Sequence, residues 1–179
     1  MNDFLTAVFS LATFRGTPAA MPAAPFWLAI TCAVFLVVML IVLSTPYGVN
    51  DNPLNYVAYN VVVYGTITLL LLANRRGHRL VQTLIALLAV DNLLTVAQVV
   101  VLMIAIKSGI NYAIPIWLLA VWLLLAQSRI LGAALEWHPI IAFVFLFLIT
   151  LLGATFVNTA NSDLNTPAET AAIGLAAFG

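Results

Sequence analysis

The stretch LVQTLIALLAVDNLLTVAQVVVLMIAI, Leu80 to Ile106, decides how this chain folds, because its 27 residues carry a single charge, that of Asp91. As a helix it would reach about 40 Å, more than the roughly 30 Å hydrocarbon core of a bilayer. The reading is therefore a tilted transmembrane helix. A carboxylate near its middle costs a few kcal/mol on insertion scales, so Asp91 is expected to face the bundle interior, paired or protonated.

The rest of the chain agrees in character. Of 179 residues, 64% are hydrophobic and only 7% charged, with mean hydropathy +1.14, whereas a soluble domain carries about 25% charged residues. Apolar runs recur at about 25–43, 54–73, 112–135 and 139–157, separated by turn-rich or basic links such as STPYGVNDNP and NRRGHR. The expected fold class is all-α, a polytopic membrane helix bundle of five transmembrane helices. The expected organisation is a cytoplasmic helix and linker over 1–24, the bundle over 25–157, and a polar extracytoplasmic tail over 158–179.

Within the first segment, Phe4, Leu5, Val8, Phe9, Leu11 and Ala12 fall on one side of a helical wheel, and Asp3, Thr6, Ser10 and Thr13 on the other. That pattern suits an N-terminal amphipathic helix lying in the membrane interface. A cleaved signal peptide competes with it, but Asp3 occupies the place of the positive n-region and Arg15 follows the apolar stretch. With five spans, Arg15, Arg75, Arg76, Arg79 and Arg129 share one side and Lys107 takes the other. The positive-inside rule then implies a cytoplasmic N-terminus and an extracytoplasmic C-terminus. Asp51, Asp163 and Glu169 fall on the outer side.

Asp91, Thr95 and Gln98 stand at i, i+4 and i+7 on one helix face, with Asn92 beside them. On the preceding span Tyr56, Asn60, Tyr64 and Thr68 recur every four residues, and Tyr64 reaches about the depth of Asp91. The expected intramembrane polar cluster is Asp91, Thr95, Gln98, Asn60 and Tyr64, with Asp91 paired to Tyr64 or Asn60. Arg129 would meet Asp91 only by reaching inward. Asp91 then reads either as a packing contact that sets helix register or as a proton or cation site.

Other features narrow the function. Arg75, Arg76 and Arg79 serve as a topology signal and could also hold anionic lipid headgroups. His78, His138 and Glu136 lie in loops without metal-ligand spacing, so no metal or other cofactor is expected. The lone Cys32 has no partner for a disulfide within one chain. No nucleophile–base pair or phosphate-cradling glycine loop occurs, so an enzyme is not expected. The net charge of zero gives no sign of a nucleic-acid partner. In the last span Phe143, Phe145 and Phe147 alternate around the helix, so some should face lipid or another protein.

At RGHRLVQTLIALLAVDNLL, Arg76 to Leu94, and WLLLAQSRILGAALEWHP, Trp122 to Pro139, the chain resembles small bacterial inner-membrane proteins that are similar in layout to the bacterial branch of the Yip1-like proteins. The resemblance implies a short cytoplasmic N-terminal segment, five spans and an outward C-terminus, and it brings no catalytic or binding residue. Taken together, the expectation is a non-enzymatic protein acting by association, as a homo-oligomer or an accessory subunit of a larger membrane complex. The alternative is a small proton- or cation-coupled transporter or channel using Asp91.

Overall fold

In a computed structural model of the protein, the structure describes residues 2–44, 53–109 and 111–155. The tail over 158–179, the acids Asp51, Asp163 and Glu169, and the loop residue Tyr47 lie outside them. The helices are α1 (Asn2–Ala12), α2 (Pro25–Ser44), α3 (Pro53–Ala73), α4 (Leu80–Ser108), α5 (Ala113–Leu135) and α6 (Pro139–Thr155). No strand occurs among the described residues. Three helices are long and apolar enough to cross a membrane: Pro25–Ser44, Ala113–Leu135, and α4 with its preceding turn, Gly77–Ser108. Val57–Ala73 and Pro139–Thr155 are shorter apolar helices.

Helix boundaries follow local chemistry. Proline opens α2, α3 and α6, where its missing N–H removes no helical bond and its fixed φ is already helical. Gly109 ends α4 at φ +65, with its amide donating to the Ala105 carbonyl. Glu136 ends α5 in the same left-handed conformation, at φ 60. There a non-glycine residue costs roughly 1–2 kcal/mol.

α4 is the axis of the bundle, packed by α5, α2 and α1. Six consecutive residues of it, Ile85 to Val90, are buried. A helix buried all round needs neighbours on every side, and Ile67 and Leu71 of α3, Ile130 and Leu131 of α5, and Leu146 of α6 are all enclosed with it. Many large apolar side chains also lie on the outside of the molecule. Trp117 and Leu118 on α5 and Leu69 on α3 are exposed, in a continuous coat that water would penalise and hydrocarbon accepts.

The N-terminal helix turns part of its apolar stripe onto the bundle: α1 buries Val8, Leu11 and Ala12 against α4 and α5. The Trp122 indole N–H donates to the Ala12 carbonyl at 2.8 Å, and Phe4 stacks on Trp27 with ring centroids 4.6 Å apart. The cause lies in the link that follows. The Arg15 and Gly16 amides both donate back to the Ser10 carbonyl, and Pro18 is buried, so the chain doubles back onto the bundle. An apolar stripe cannot itself distinguish lipid from protein. Leu5 and Phe9 remain exposed.

Candidate functional site: a polar vestibule ending on Asp91

Between the helices lies a partly open cavity of about 360 Å³. α4 contributes Asp91, Thr95, Gln98 and Leu102, which share a face because their spacing follows the helical repeat. α3 contributes Tyr59, Asn60, Val63 and Tyr64; α5 contributes Ile116, Ala120, Leu123 and Gln127, with Tyr112 just before it. Val42 of α2 and Thr150 of α6 complete the wall. Along α4 the cavity runs from Asp91 to Leu102, a distance of about 16 Å at 1.5 Å per residue. Its far end, at Leu102 and Tyr112, is the end of the bundle away from the arginine-rich turns.

Asp91 forms the inner end. The Tyr64 hydroxyl hydrogen-bonds its carboxylate. The Gln127 amide makes a longer, weak contact, Nε2 to Oδ1 at 3.5 Å. Tyr64 is held from behind by Phe35, edge-on with ring centroids 6.3 Å apart. Tyr59 hydrogen-bonds Thr150 on the opposite wall. No lysine, arginine or histidine lines the cavity. The ion pairs found among the described residues join Arg76 and Arg79 to Glu136 and leave Asp91 aside.

Beyond Asp91 towards the arginine-rich end the interior is closed. Leu87, Val90, Ala126 and Ile130 are at most 1% exposed, so the carboxylate stands at the boundary between the cavity and a close-packed core. Asn92 points elsewhere. Its amide donates to the Thr31 carbonyl of α2 at 3.2 Å, while its Oδ1 is buried without a partner.

All five residues of the expected polar cluster, Asp91, Thr95, Gln98, Asn60 and Tyr64, line this one cavity. Thr68 instead turns its hydroxyl back to the Tyr64 carbonyl. Arg129 does not approach Asp91, and its guanidinium lies over the Phe14 ring, 5.5 Å from the centroid. Sequence reasoning missed Gln127, Thr150, Tyr59 and Tyr112. Depth would have found two of them. Thr150 lies as many residues from the start of α6 as Asp91 from the start of α4, about 16 Å, and Gln127 is about 12 Å from the end of α5 on the same side.

The basic cluster has a different fate. Arg76 grips Glu136 with both nitrogens, Nη1 to Oε1 at 2.6 Å, and Arg79 approaches at 3.3 Å. The hydrogen bond from Arg76, aided by the charges of Arg76, Arg79 and His78, holds the Glu136 carboxyl below its ordinary range. Two of the three arginines are thus engaged by protein, and Arg75 forms no ion pair among the described residues. His138 accepts the Ile140 amide at 3.4 Å, and no three His, Cys, Asp or Glu side chains gather among the described residues.

Chemically, the vestibule offers one carboxylate, several neutral hydroxyl and amide groups, and no counter-charge. Fold and site together define an all-helical bundle with many exposed apolar side chains and a partly open internal cavity in which one carboxylate stands among neutral polar and apolar groups. Comparison with family models, with curated proteins and with solved structures finds no match.

Proposed function

We propose that the protein is a five-span inner-membrane protein that binds a proton or small cation at Asp91, as the binding step of a cation-coupled carrier or channel. The observation that carries this reading is an intramembrane carboxylate at the end of a 360 Å³ cavity with only neutral groups around it. A carboxylate whose sole task was to fix helix register would be packed over, and its desolvation would favour an apolar replacement. Here the side chain stays accessible from the cavity, and a positive charge is the missing complement. In this reading the arginine-rich end is cytoplasmic by the positive-inside rule, and the vestibule is reached from the Lys107 side. The Yip1-like layout contributes only the topology.

The test is flux in proteoliposomes under an imposed proton or sodium gradient. Wild-type protein should conduct above empty vesicles, and Asp91→Asn, which preserves shape and can still hydrogen-bond Tyr64, should return flux to the empty-vesicle level. Flux that survives in Asp91→Asn, or no flux at all from folded wild type, overturns the proposal.

A second reading, assembly with another copy or another membrane subunit, draws on α2. Only 17% of its apolar window is buried, against 39% for α4 and α5. Purification in mild detergent as a strict monomer without co-purifying protein would count against it.

A further inference from the structure

We propose that the cleft around Arg129 binds the headgroup of an anionic phospholipid, independently of the Asp91 vestibule. Arg129 sits two residues beyond Gln127, about 200° further round α5, so it faces away from the vestibule. Its side chain is exposed, and no carboxylate pairs with it among the described residues, because Glu136 is held by Arg76 and Arg79. It lies six residues, about 9 Å, short of the end of α5. A guanidinium at that depth, on an apolar surface, extends towards the lipid phosphates.

The surroundings have the shape and polarity of a lipid. Arg129, Phe14 and Pro139 stand between two clefts of about 430 and 390 Å³. The first is bordered by Thr17 and Glu136; the second is walled by Leu125, Ile140 and Phe143 and holds no charge but Arg129. Ile140 is 65% exposed, so the apolar cleft continues onto the outer face of α6. A phosphate at Arg129 would accept from the guanidinium fork, while an acyl chain would run along Leu125, Ile140 and Phe143. Phe14, stacked under the guanidinium and at 5.0 Å from Trp122, fixes where the fork points. Charge favours an anion, since Arg15, Arg75, Arg76, Arg79 and Arg129 outnumber Asp3 and Glu136 at this end. The sequence draws attention to Arg75, Arg76 and Arg79, but the structure leaves Arg129 as the cation beside an apolar cleft.

The experiment is native mass spectrometry of the full chain from neutral-detergent micelles doped with phosphatidylglycerol or phosphatidylcholine, or supplied with inorganic phosphate. Wild type should retain phosphatidylglycerol and neither of the others. Arg129→Gln should lose the phosphatidylglycerol adduct, Arg129→Lys should keep a reduced one, and Arg75→Gln and Asp91→Asn should keep it whole. Ile140→Glu, which sets a carboxylate in the apolar cleft and leaves Arg129 in place, should also lose it. Retention that is unchanged in both Arg129→Gln and Ile140→Glu, or equal for phosphatidylcholine, overturns the proposal. Equal occupancy by inorganic phosphate overturns the lipid as occupant. Because Asp91→Asn is expected to be silent here, failure of the flux experiment leaves this outcome unaffected.

Discussion

The two ends of this bundle are built from different residues and pack differently. At the arginine-rich end α4 is enclosed on every side, and small residues let the helices close. A Cβ added at Gly132 would come within 3.2 Å of the Trp137 carbonyl and 3.6 Å of the Ala142 side chain. Ala86, Ala126, Ala134 and Ala142 are each buried to within 1% of fully. Close backbone approach of this kind is what holds helices together when burial against hydrocarbon gives no drive. At the other end, tyrosines and amides stand where alanines stood, and the space between α3, α4 and α5 remains open around Asp91. The difference leaves one half close-packed and the other open around a cavity, so the cavity persists without loosening the packed end.

The strongest way to break that comparison is to truncate one leucine in each half. Leu87 is 0% exposed, whereas Leu102 is 8% exposed and borders the cavity. Leu87→Ala should cost about 2 kcal/mol or more, chiefly through the cavity left in a close-packed core. Leu102→Ala acts beside a space that is already open and should cost measurably less than Leu87→Ala. Denaturant titration of the detergent-solubilised protein measures both. Equal losses would mean that the two halves share the load.

Much of the site was legible in the sequence, and the reason is periodicity. Asp91, Thr95 and Gln98 on one helix, and Asn60 and Tyr64 on another, repeat at helical spacing in an apolar background, so few other arrangements place them indoors. The lone polar residues Gln127 and Thr150 carry no period of their own, and their depth along α5 and α6 is the one signal they offer. The docking of α1 was illegible for another reason, since the same stripe of Val8, Leu11 and Ala12 satisfies either a lipid surface or a protein groove. The fate of the basic cluster was equally hidden. It depends on Glu136, which is far from Arg76 in sequence and reaches it only because the α5–α6 turn lies beside the α3–α4 turn.

A smaller effect sharpens the role of α1 in closing the packed end. Trp122→Phe keeps an aromatic ring against Phe14 and removes the pyrrole ring with the N–H that donates to Ala12. The loss should be about 1 kcal/mol, the ordinary net worth of one partly buried hydrogen bond. It should show as faster amide hydrogen exchange confined to residues 2–14, with exchange around the vestibule unchanged. Uniform acceleration along the chain would show that α1 is part of one cooperative unit and not a cap on one end.

The smallest effect belongs to the ion pair that ties the two arginine-end turns. Glu136 is held below its ordinary carboxyl value of 4.5, first by its hydrogen bond from Arg76. A carboxyl lowered on folding contributes stability that is complete above its unfolded value and disappears as pH falls through the lower folded value. Wild type should therefore melt slightly above Glu136→Gln near neutral pH, and the two curves should converge as the medium is acidified below about pH 4. The gap should be narrow, because the pair is solvent-exposed, and added salt should narrow it further. A gap that widened on acidification would reverse the sign of the linkage. A gap insensitive to both salt and pH would locate the contribution of Glu136 in its left-handed turn and not in its charge.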